Sequence, residues 1–387
     1  MKKEIHVGVL GTGFMCRAHA NAYRTIPYMF PDASAVPVLD VVSASVREHA
    51  EQAADRYGFA RAAEGWKNVL DGGKLDLVDI CLPDELHKTA AKEALKKHMS
   101  VLCEKPMALN SQDAAELALL AAKEDVVNMV CFNYRFLPAV RMAYEMIQQG
   151  VLGSLYHMHV WYYQEGGADP EQFYEDTWYL KSGRTGALQG IGTHAIDQAR
   201  FLMGEIAELS GQTAVHTEVR KCRTGGMKNV EVEDSARALL HFKNGAFGVL
   251  ECSCAAQGHR NGLEWEINGS KGSIRFNLEE PNYLEVYLTD SVHPMVSGFT
   301  RVNVTLPNHP FMKNWWPAGH NIGWEHGHIH LIQHMLECVN AGKKAGPYGA
   351  DFTDGFKAAA IVDSIRDSSR TGQRVDMLEI YKKFGVL

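Results

Sequence analysis

Short apolar runs alternate with amphipathic segments along the first third of the chain. The strand-like runs lie at residues 5–9, 38–44, 75–82, 99–103 and 126–132. The segments between them have helical spacing, from residue 14 onward and at 47–57, 65–70, 84–98 and 111–123. Strands and helices that alternate in this way predict a doubly wound, mainly parallel sheet. We therefore expect a ligand crevice at the carboxyl ends of its strands.

A different pattern follows residue 133, where apolar and polar residues alternate with a period of two. A helix is predicted at 138–149, and strands at 155–163, 212–219, 235–242, 246–254, 263–268, 273–276 and 283–288. Further helices are predicted at 193–203 and near 325–340 and 353–370. This pattern predicts an α+β domain with a large open, mainly antiparallel sheet. The expected domains are 1–132 and 133–387, with a last helix that packs back on the first domain and a proline-punctuated insertion at 28–37.

A glycine turn separates the first strand from the first helix. In Gly11-Thr12-Gly13, the first glycine permits a tight turn and the second lets a pyrophosphate approach the backbone. The helix that starts at Phe14 and Met15 offers unpaired N–H groups to that anion. The third glycine position of such turns holds Cys16, so this turn alone leaves an ordinary turn open as an alternative to a dinucleotide site.

The end of the second strand bears on the choice of cofactor. An acid there would bind a ribose hydroxyl, whereas small polar and basic residues would accept a 2′-phosphate. The segment has Ser43, Ser45 and Arg47, and its first acid is Glu48. It favours NADP(H) over NAD(H), unless Arg47 lies on the exposed face of the following helix.

Composition excludes several classes of protein. The 387 residues include 46% hydrophobic and 22% charged residues and have a net charge of −7, as in a globular protein of two or three domains. Neither this charge nor any basic run favours nucleic acid or anionic lipid. The chain begins without a signal peptide and has no apolar run of membrane-spanning length, so we expect a cytoplasmic protein. Eight scattered cysteines without C-x-x-C spacing predict reduced, buried thiols.

An ordered set of motifs resembles the Gfo/Idh/MocA oxidoreductases, a family named for glucose-fructose oxidoreductase and inositol dehydrogenase. The resemblance covers nearly the whole chain. Within the family, the insertion and the segment 132–135 are most similar to sugar dehydrogenases of the levoglucosan dehydrogenase type. The motifs are Gly11-Thr12-Gly13-Phe14-Met15 with Arg17-Ala18-His19, Pro83 with His87, Glu104-Lys105-Pro106, Asn133-Tyr134-Arg135, and Gly186-Ala187-Leu188 leading to Ile191-Gly192-Thr193-His194-Ala195-Ile196-Asp197.

The resemblance implies nicotinamide-dependent oxidation or reduction of a secondary alcohol on a sugar, anhydrosugar or cyclitol. Lys105 matches the catalytic lysine, Glu104 and Pro106 border the nicotinamide, and His194 matches the active-site histidine. Hydride transfer needs a positioned group that takes the hydroxyl proton. We expect Lys105 to hydrogen-bond the reacting oxygen and His194 to be the second donor or the proton acceptor.

One position departs from the family pattern. The family usually has an aspartate four residues before the histidine, and this chain has Gly190 there. Three interpretations stay open: Lys105 and His194 suffice, another acid substitutes, or dehydrogenase chemistry is lost. The candidate substitutes are Glu165, Asp176 and Asp197.

Further ligand contacts are expected at the strand ends and in the second domain. The expected cofactor contacts are Gly11, Thr12, Gly13, Phe14, Met15, Ser43, Ser45, Arg47, Pro83, His87, Glu104, Lys105, Pro106, Asn133 and Arg135. The expected substrate contacts are Lys105, Tyr134, Arg135, Gln164, Trp178, Thr193, His194 and His320, with Glu165, Tyr179 and Lys181 in the same polar, aromatic stretch. Trp178 and Tyr179 suit a sugar ring but could equally be core residues.

No metal is expected, although one histidine cluster has a spacing that could bind one. His326, His330 and His334 follow each other at intervals of four, but no H-E-x-x-H motif accompanies them. A helix face that lines the substrate cleft, with His320 and His326 as possible hydroxyl contacts, fits this pattern better.

The sequence therefore predicts an NAD(P)-dependent sugar or polyol dehydrogenase. Two alternatives stay open, a glycosidase that uses tightly held NAD and a non-catalytic nucleotide- or sugar-binding regulator. The open sheet predicts a homo-oligomer, a dimer or a tetramer.

Overall fold

The chain divides into two compact units that are interleaved in sequence. The computed structural model describes residues 2–180, 185–290, 295 and 297–386. The first unit contains residues up to 137 together with 323–357 and 386, and the second contains 138–322 and 358–385. Among the described residues, no helix is both long and apolar enough to cross a membrane.

The first unit is built on a six-stranded sheet in which every pair of neighbouring strands is parallel. Its strands are β1 (Lys3–Leu10), β2 (Ala35–Ala44), β3 (Arg61–Glu64), β4 (Leu77–Ile80), β5 (Ser100–Cys103) and β6 (Asn128–Val130), in the spatial order β3-β2-β1-β4-β5-β6. The helices between them are α1 (Phe14–Met29), α2 (Arg47–Tyr57), α3 (Trp66–Asp71), α4 (Asp84–Lys96) and α5 (Ser111–Glu124). The predicted doubly wound parallel sheet is confirmed.

The strands of the second unit are β7 (Leu155–Tyr163), β8 (Ile206–Ala214), β9 (Val219–Lys221), β10 (Met227–Asn229), β11 (Ser235–Phe242), β12 (Phe247–Ser253), β13 (Gly262–Gly269), β14 (Gly272–Asn277), β15 (Tyr283–Leu288), β16 (Thr300–Asn303) and β17 (Val375–Asp376). β9 and β10 pair with each other, and the other strands form a nine-stranded sheet in the order β16-β15-β14-β13-β7-β12-β11-β8-β17. Among the described strands of that sheet, only β7 and β12 are parallel neighbours. The remaining helices are α6 (Pro138–Gln148), α7 (Thr193–Met203), α8 (Glu325–Ala341), α9 (Phe352–Thr371) and α10 (Met377–Phe384). The predicted open, mainly antiparallel sheet is confirmed.

The two faces of the large sheet differ in burial. Along β11, Ala238 and Leu240 are buried, whereas Arg237, Leu239 and His241 on the other face are exposed. Helix α7 packs on β7 and β12, and all its residues are buried. The sheet therefore has one face covered within the unit and one face open.

Helix α8 belongs to the first unit, although it follows the second-unit strands in sequence. It packs against α1 and β1, and His330 on its buried face directs Nδ1 to the carbonyl oxygen of Phe136 at 2.9 Å. The last helix, α10, lies in the second unit, where it contacts β8.

Two predicted boundaries are wrong, and β3, which has no buried residue, is not among the predicted strands. Helix α1 continues through Pro27 to Met29, so the first residues of the expected insertion are helical. The strand expected at 212–219 is interrupted after β8, because the backbone N–H groups of His216 and Thr217 donate to the carboxylate of Asp234 at 2.5 and 3.2 Å.

Candidate cofactor and catalytic site

The glycine turn after β1 has the shape that a bound pyrophosphate needs. Gly11 has φ +104°, and a Cβ there would lie 2.4 Å from the carbonyl oxygen of Cys81. A Cβ on Gly13 would meet nothing within 4 Å, so this side of the turn is open. Helix α1 begins next to it with no side-chain cap and no acid in its first turn. Its N–H groups and positive dipole end therefore suit an anion.

The residues at the end of β2 lie beside this turn but differ in their surroundings. The backbone N–H of Gly11 donates to the carbonyl oxygen of Ser43 at 2.9 Å. The Ser43 hydroxyl is buried and has no hydrogen-bond partner among the described residues. Arg47 is exposed and donates through Nε to Glu51 at 2.7 Å. Arg47 thus lies on the exposed helix face, which was the alternative to a phosphate contact.

His87 joins the loops that follow β4 and β5. Its Nδ1 lies 2.8 Å from the carbonyl oxygen of Pro106, and its Nε2 lies 2.8 Å from that of Leu82. Both ring nitrogens are thereby engaged within the protein. His87 therefore holds these loops together, and Pro83 occupies the position before α4.

Glu104 directly follows β5 and is buried, and Lys105 is the next residue. The backbone N–H of Lys105 donates to Oε2 of Glu104 at 3.1 Å, and Oε1 lies 3.2 Å from Nε2 of His19. The other ring nitrogen of His19 lies 2.9 and 3.0 Å from the carboxylate oxygens of Asp79, which also accepts from the hydroxyl of Tyr23 at 3.0 Å. We call His19, Tyr23, Asp79 and Glu104 the buried charge cluster.

The charges in this cluster follow from its geometry. Burial lowers the pKa of His19, but the charge and hydrogen bond of Asp79 and then the contact with Glu104 raise it to about 10. Burial raises the pKa of Glu104, but His19 outweighs it, with smaller contributions from His328 and Lys105, and lowers it to about 2. An imidazolium therefore lies between two carboxylates at neutral pH.

His328 packs against this cluster from α8. Its ring centroid lies 5.3 Å from that of His19 and 4.6 Å from that of Trp324. Burial and the positive charge of His19 lower the pKa of His328 to about 3. A neutral ring therefore lies against the imidazolium.

The segment from Asn133 to Phe136 forms a buried 3₁₀ turn. Arg135 is 3% exposed, and its guanidinium lies 3.3 Å from Asp354. The Tyr134 hydroxyl accepts from the indole N–H of Trp324 at 3.3 Å. The Asn133 amide nitrogen is buried and has no partner among the described residues, which makes it the polar group of this turn that suits a ligand.

Trp324 also contacts the start of α1. Its ring stacks on that of Phe14 with the centroids 5.5 Å apart. The guanidinium carbon of Arg17 lies 5.7 Å from the centroid of the Phe14 ring. Phe14 is exposed, and Thr12 and Met15 are partly buried. An aromatic surface therefore adjoins the glycine turn.

In the second unit, an ion pair holds the turn that precedes His194. Arg366 donates to both carboxylate oxygens of the buried Glu233, at 2.9 and 3.2 Å, and to the carbonyl oxygen of Thr185 at 2.9 Å. Glu233 in turn accepts from the backbone N–H of Leu188 at 3.1 Å. Residues 188–192 form one π-helical turn before α7, and His194 lies in the first turn of that helix.

The space beside Gly190 is filled by a tryptophan. A Cβ on Gly190 would lie 2.6 Å from Cη2 of Trp178, and a Cβ on Gly166 would lie 3.0 Å from Nε1 of the same indole. Trp178 is 39% exposed and forms an edge contact with the buried Tyr179. No side chain fits at position 190 unless this ring moves.

The three acids expected to substitute at position 190 have different surroundings. Glu165 pairs with Arg260, and Asp176 pairs with Arg223 at 2.6 Å. Asp197 is buried one helical turn after His194. The first two carboxylates thus already pair with exposed arginines.

The remaining expected substrate residues are partly committed to contacts within the unit. Gln164 donates to Asn261 at 2.9 Å, and Tyr162, which packs edge-on against His194, donates to the same oxygen at 2.6 Å. Thr193 donates back to the carbonyl oxygen of Gln189 at 3.1 Å. His320 is exposed and directs Nδ1 to the carbonyl oxygen of Pro317, and Lys181 lies outside the described residues.

The histidines of α8 do not converge on one point. Nδ1 of His330 lies 2.9 Å from the carbonyl oxygen of Phe136, whereas Nε2 of His334 lies 2.7 Å from that of Ala345. The backbone N–H of Gly323 donates to Nδ1 of His326 at 3.1 Å. These rings thus contact separate backbone groups.

Sequence reasoning missed the buried charge cluster and the Arg366–Glu233 pair. One signal was available, because Asp79 interrupts the otherwise apolar run of β4, and a buried acid needs a partner. Nothing in the sequence pattern linked Arg366 to Glu233, which lie on elements far apart in the chain.

Both family models that match the chain describe the same kind of protein. A model described as "Oxidoreductase family, NAD-binding Rossmann fold" matches residues 5–132. A model described as "GFO/IDH/MocA C-terminal domain" matches residues 140–275. Together they cover more than half of the chain.

Relatives of known activity align over most of its length. Levoglucosan dehydrogenase of Pseudarthrobacter phenanthrenivorans is 31% identical over 98% of this chain and 99% of that protein. Myo-inositol 2-dehydrogenase of Thermotoga maritima is 28% identical over 70% of this chain and 74% of that protein. The structure of a levoglucosan dehydrogenase in complex with NADH and levoglucosan superposes with a TM-score of 0.91 at 32% identity, covering 97% of this chain and 99% of that one.

Proposed function

The chain belongs to the Gfo/Idh/MocA family of oxidoreductases, and we propose that it is an NAD(H)-dependent dehydrogenase that oxidises a secondary alcohol of a sugar, anhydrosugar or cyclitol or reduces the corresponding ketone. One observation carries the proposal. Lys105 is held at the carboxyl end of β5, in the same parallel sheet whose first strand ends in an open glycine turn. Ligands of such sheets bind at that edge.

The residues around the glycine turn fit a dinucleotide. The open side of Gly13, the uncapped start of α1 and the unpartnered Ser43 hydroxyl suit a pyrophosphate and a ribose. The expected preference for NADP(H) has no support, because Arg47 pairs with Glu51 and a levoglucosan dehydrogenase is known in complex with NADH. We therefore propose NAD(H) as the cofactor. Comparing the dissociation constants of NADH and NADPH by protein fluorescence tests this choice, and tighter NADPH binding would contradict it.

Two side chains are proposed for proton handling. The bound nicotinamide supplies the hydride acceptor or donor. Lys105 hydrogen-bonds the reacting oxygen, and His194 is either the second donor to that oxygen or the group that accepts the hydroxyl proton during oxidation. Asp197 follows His194 by one turn and is buried, so it orients that histidine in this scheme.

The proposed substrate is a compact polyhydroxylated ring. Trp178 offers a partly exposed aromatic face of the kind on which sugar rings pack, and Gln164 and Asn261 provide amide groups nearby in the second unit. Because a relative named levoglucosan dehydrogenase aligns over nearly the full length, an anhydrohexose such as levoglucosan is the first substrate to test.

Replacing Lys105 tests the proposal. Lys105→Met removes the amine but keeps a chain of similar length, so turnover of NAD⁺ with the best alcohol should fall to background while NADH still binds. The matched control is Lys123→Met, a change at an exposed lysine on α5, which should leave turnover unchanged. Near-normal activity of Lys105→Met would refute the assignment.

A sugar screen separates the alternatives. Net formation of NADH from NAD⁺ and one polyol supports the dehydrogenase. Glycoside cleavage without net change in the cofactor would identify the NAD-assisted glycosidase. Binding of cofactor and sugar without either reaction would identify the regulator, the alternative that Gly190 keeps open.

We also propose a homo-oligomer that assembles through the open face of the large sheet. Leu239 and Phe247 are more than half exposed there, and Phe247 stacks on His157 with the ring centroids 5.8 Å apart. Adjacent exposed apolar side chains are typical of association surfaces. Light scattering should give a dimer or tetramer that Phe247→Glu dissociates, and a monomeric wild-type protein would contradict this proposal.

A further inference from the structure

The buried charge cluster connects the interior of the first unit to the backbone of Lys105. Its links run from the Tyr23 hydroxyl to Asp79, from Asp79 to one nitrogen of His19, and from the other nitrogen to Glu104. Glu104 then accepts the backbone N–H of Lys105 at 3.1 Å. Every link in this chain lies within a single unit.

Three members of the cluster stand on a helix or a strand, and the fourth directly follows a strand. Tyr23 and His19 lie one helical turn apart on α1, Asp79 lies within β4, and Glu104 follows β5. His19, Tyr23 and Asp79 are completely inaccessible to solvent, and Glu104 is 4% exposed. Side chains packed in this way have few alternative rotamers, so a displacement of one of them displaces the next.

The cluster also differs from an ordinary buried ion pair. Breaking a buried charged pair is costly, and a single carboxylate would have sufficed to neutralise His19. The second carboxylate, Glu104, directs one oxygen to His19 and the other to the backbone of the next residue. The neighbouring thiols of Cys81 and Cys131 are neutral, since burial raises their pKa values, so they add no charge to the cluster.

We propose that His19, held by Asp79, is a positioning residue that fixes the Glu104 carboxylate and, through it, the backbone from which Lys105 extends. Tyr23 supports this arrangement by donating to Asp79. This inference rests on the proposed function, in which Lys105 contacts the substrate. His19 itself does not contact substrate or cofactor in this scheme. Its effect reaches the reaction only through Glu104.

The test uses full-length His19→Gln and a matched control. His330→Gln replaces another buried histidine of the first unit, whose Nδ1 faces the carbonyl oxygen of Phe136 rather than a carboxylate of the cluster. Both changes remove a buried imidazole of the same size. A difference between them therefore reports on the cluster rather than on the loss of packing.

The first measurement does not depend on activity. Hydrogen exchange is followed in a short peptide that contains Glu104 and Lys105, in which Pro106 has no amide hydrogen. His19→Gln should raise the exchange rate of this peptide roughly tenfold, because the acceptor of the Lys105 N–H is no longer held. His330→Gln should leave it unchanged, and equal exchange in the two variants would overturn the proposal.

The second measurement is kinetic. His19→Gln should lower kcat by about 10- to 100-fold, the usual effect of a small misplacement of a reacting group, with the KM for NAD⁺ changed less than about threefold. Glu104→Gln, which keeps an oxygen for the Lys105 N–H, should retain more activity than Glu104→Ala. Equal losses in these two Glu104 variants would count against the proposal.

Failure of the variant to fold and failure of the proposed function can be told apart. If His19→Gln does not fold, Asp79→Asn removes the charge that holds His19 and should show the same exchange and kinetic effects. If the wild-type protein oxidises no alcohol, the proposed function fails, but the exchange experiment still decides whether His19 positions Lys105.

Discussion

The indole of Trp178 packs where a side chain at position 190 would extend, which predicts a strong coupling between the two positions. In Gly190→Ala, the new Cβ would lie 2.6 Å from Cη2 and 2.9 Å from Cζ3 of the ring. Carbon atoms in contact are normally about 3.5–4.0 Å apart. The ring must therefore move by roughly 1 Å, and Gly166 leaves it little room on its other edge, where a Cβ would lie 3.0 Å from Nε1.

The expected cost follows from these distances. Overpacking of a fitted site costs about 1–3 kcal/mol, and the lower chain entropy of alanine offsets about 0.5–1 kcal/mol of it. Gly190→Ala should therefore destabilise the second unit by about 0.5–2 kcal/mol. In a Trp178→Ala background the steric cost disappears, so the two substitutions should couple by about 1–3 kcal/mol.

Differential scanning calorimetry of the wild type, the two single variants and the double variant measures this coupling. For a unit of this size, each kcal/mol corresponds to about 2–4 °C in the unfolding midpoint. Gly190→Ala should lower the midpoint in the wild type and leave it unchanged or raise it when Trp178 is absent. Additivity within about 0.5 kcal/mol would refute the steric reasoning.

The same geometry governs the attempt to restore an acid at position 190. Gly190→Asp alone should be less stable than Gly190→Ala, because the carboxylate needs still more of the space that Trp178 fills. The Trp178→Ala/Gly190→Asp double variant accommodates the acid. If that variant gained turnover where the wild type has none, the loss of dehydrogenase chemistry would be the better interpretation of Gly190.

Three further predictions concern single features. Gly11→Ala should abolish NADH binding in a fluorescence titration, since its Cβ would lie 2.4 Å from a backbone carbonyl oxygen; retained affinity would contradict the role of the turn. The pKa of His19 is raised from 6.5 to about 10 and that of Glu104 is lowered from 4.5 to about 2. Their stabilisation should therefore be complete between pH 4.5 and 6.5 and decline as the pH rises toward 10 or falls toward 2. The difference in unfolding midpoint between the wild type and His19→Gln should follow this profile, and a difference that grows above pH 6.5 would contradict it. Arg366→Met should cost about 3–5 kcal/mol in urea unfolding, because it leaves the buried carboxylate of Glu233 unpaired; Arg366→Met/Glu233→Gln should recover part of this loss, and an equal loss in both would argue against the pairing.

The fold could be predicted because its signals are local. Strands of a parallel sheet that are buried on both faces produce continuous apolar runs, and five of the six strands were visible from them. The exception is β3, which is short and has no buried residue. The pair of Arg47 with Glu51 was equally local, since residues four apart meet on one helix face. The predicted preference for NADP(H) lacks support for this reason, since Arg47 pairs within its own helix.

Candidate site residues could be named only where they stand in a recognisable motif. The roles of Lys105 and His194 stay predictions that rest on their neighbours in sequence. The contact of His19 with Asp79 and Glu104 depends on the sheet order, which places β4 between β1 and β5, and no sequence period encodes it. The contact of Trp178 with Gly190 depends on an irregular segment, where neither a period of two nor one of 3.6 applies.

A crystal structure of the wild-type protein with NADH and levoglucosan tests the central claim most directly. The account predicts the pyrophosphate at the turn of Gly11 and Gly13, and the Lys105 amine about 2.6–3.2 Å from a ring hydroxyl oxygen of the sugar. A Lys105 amine directed into bulk solvent, or a glycine turn that stays empty at saturating NADH, would contradict it.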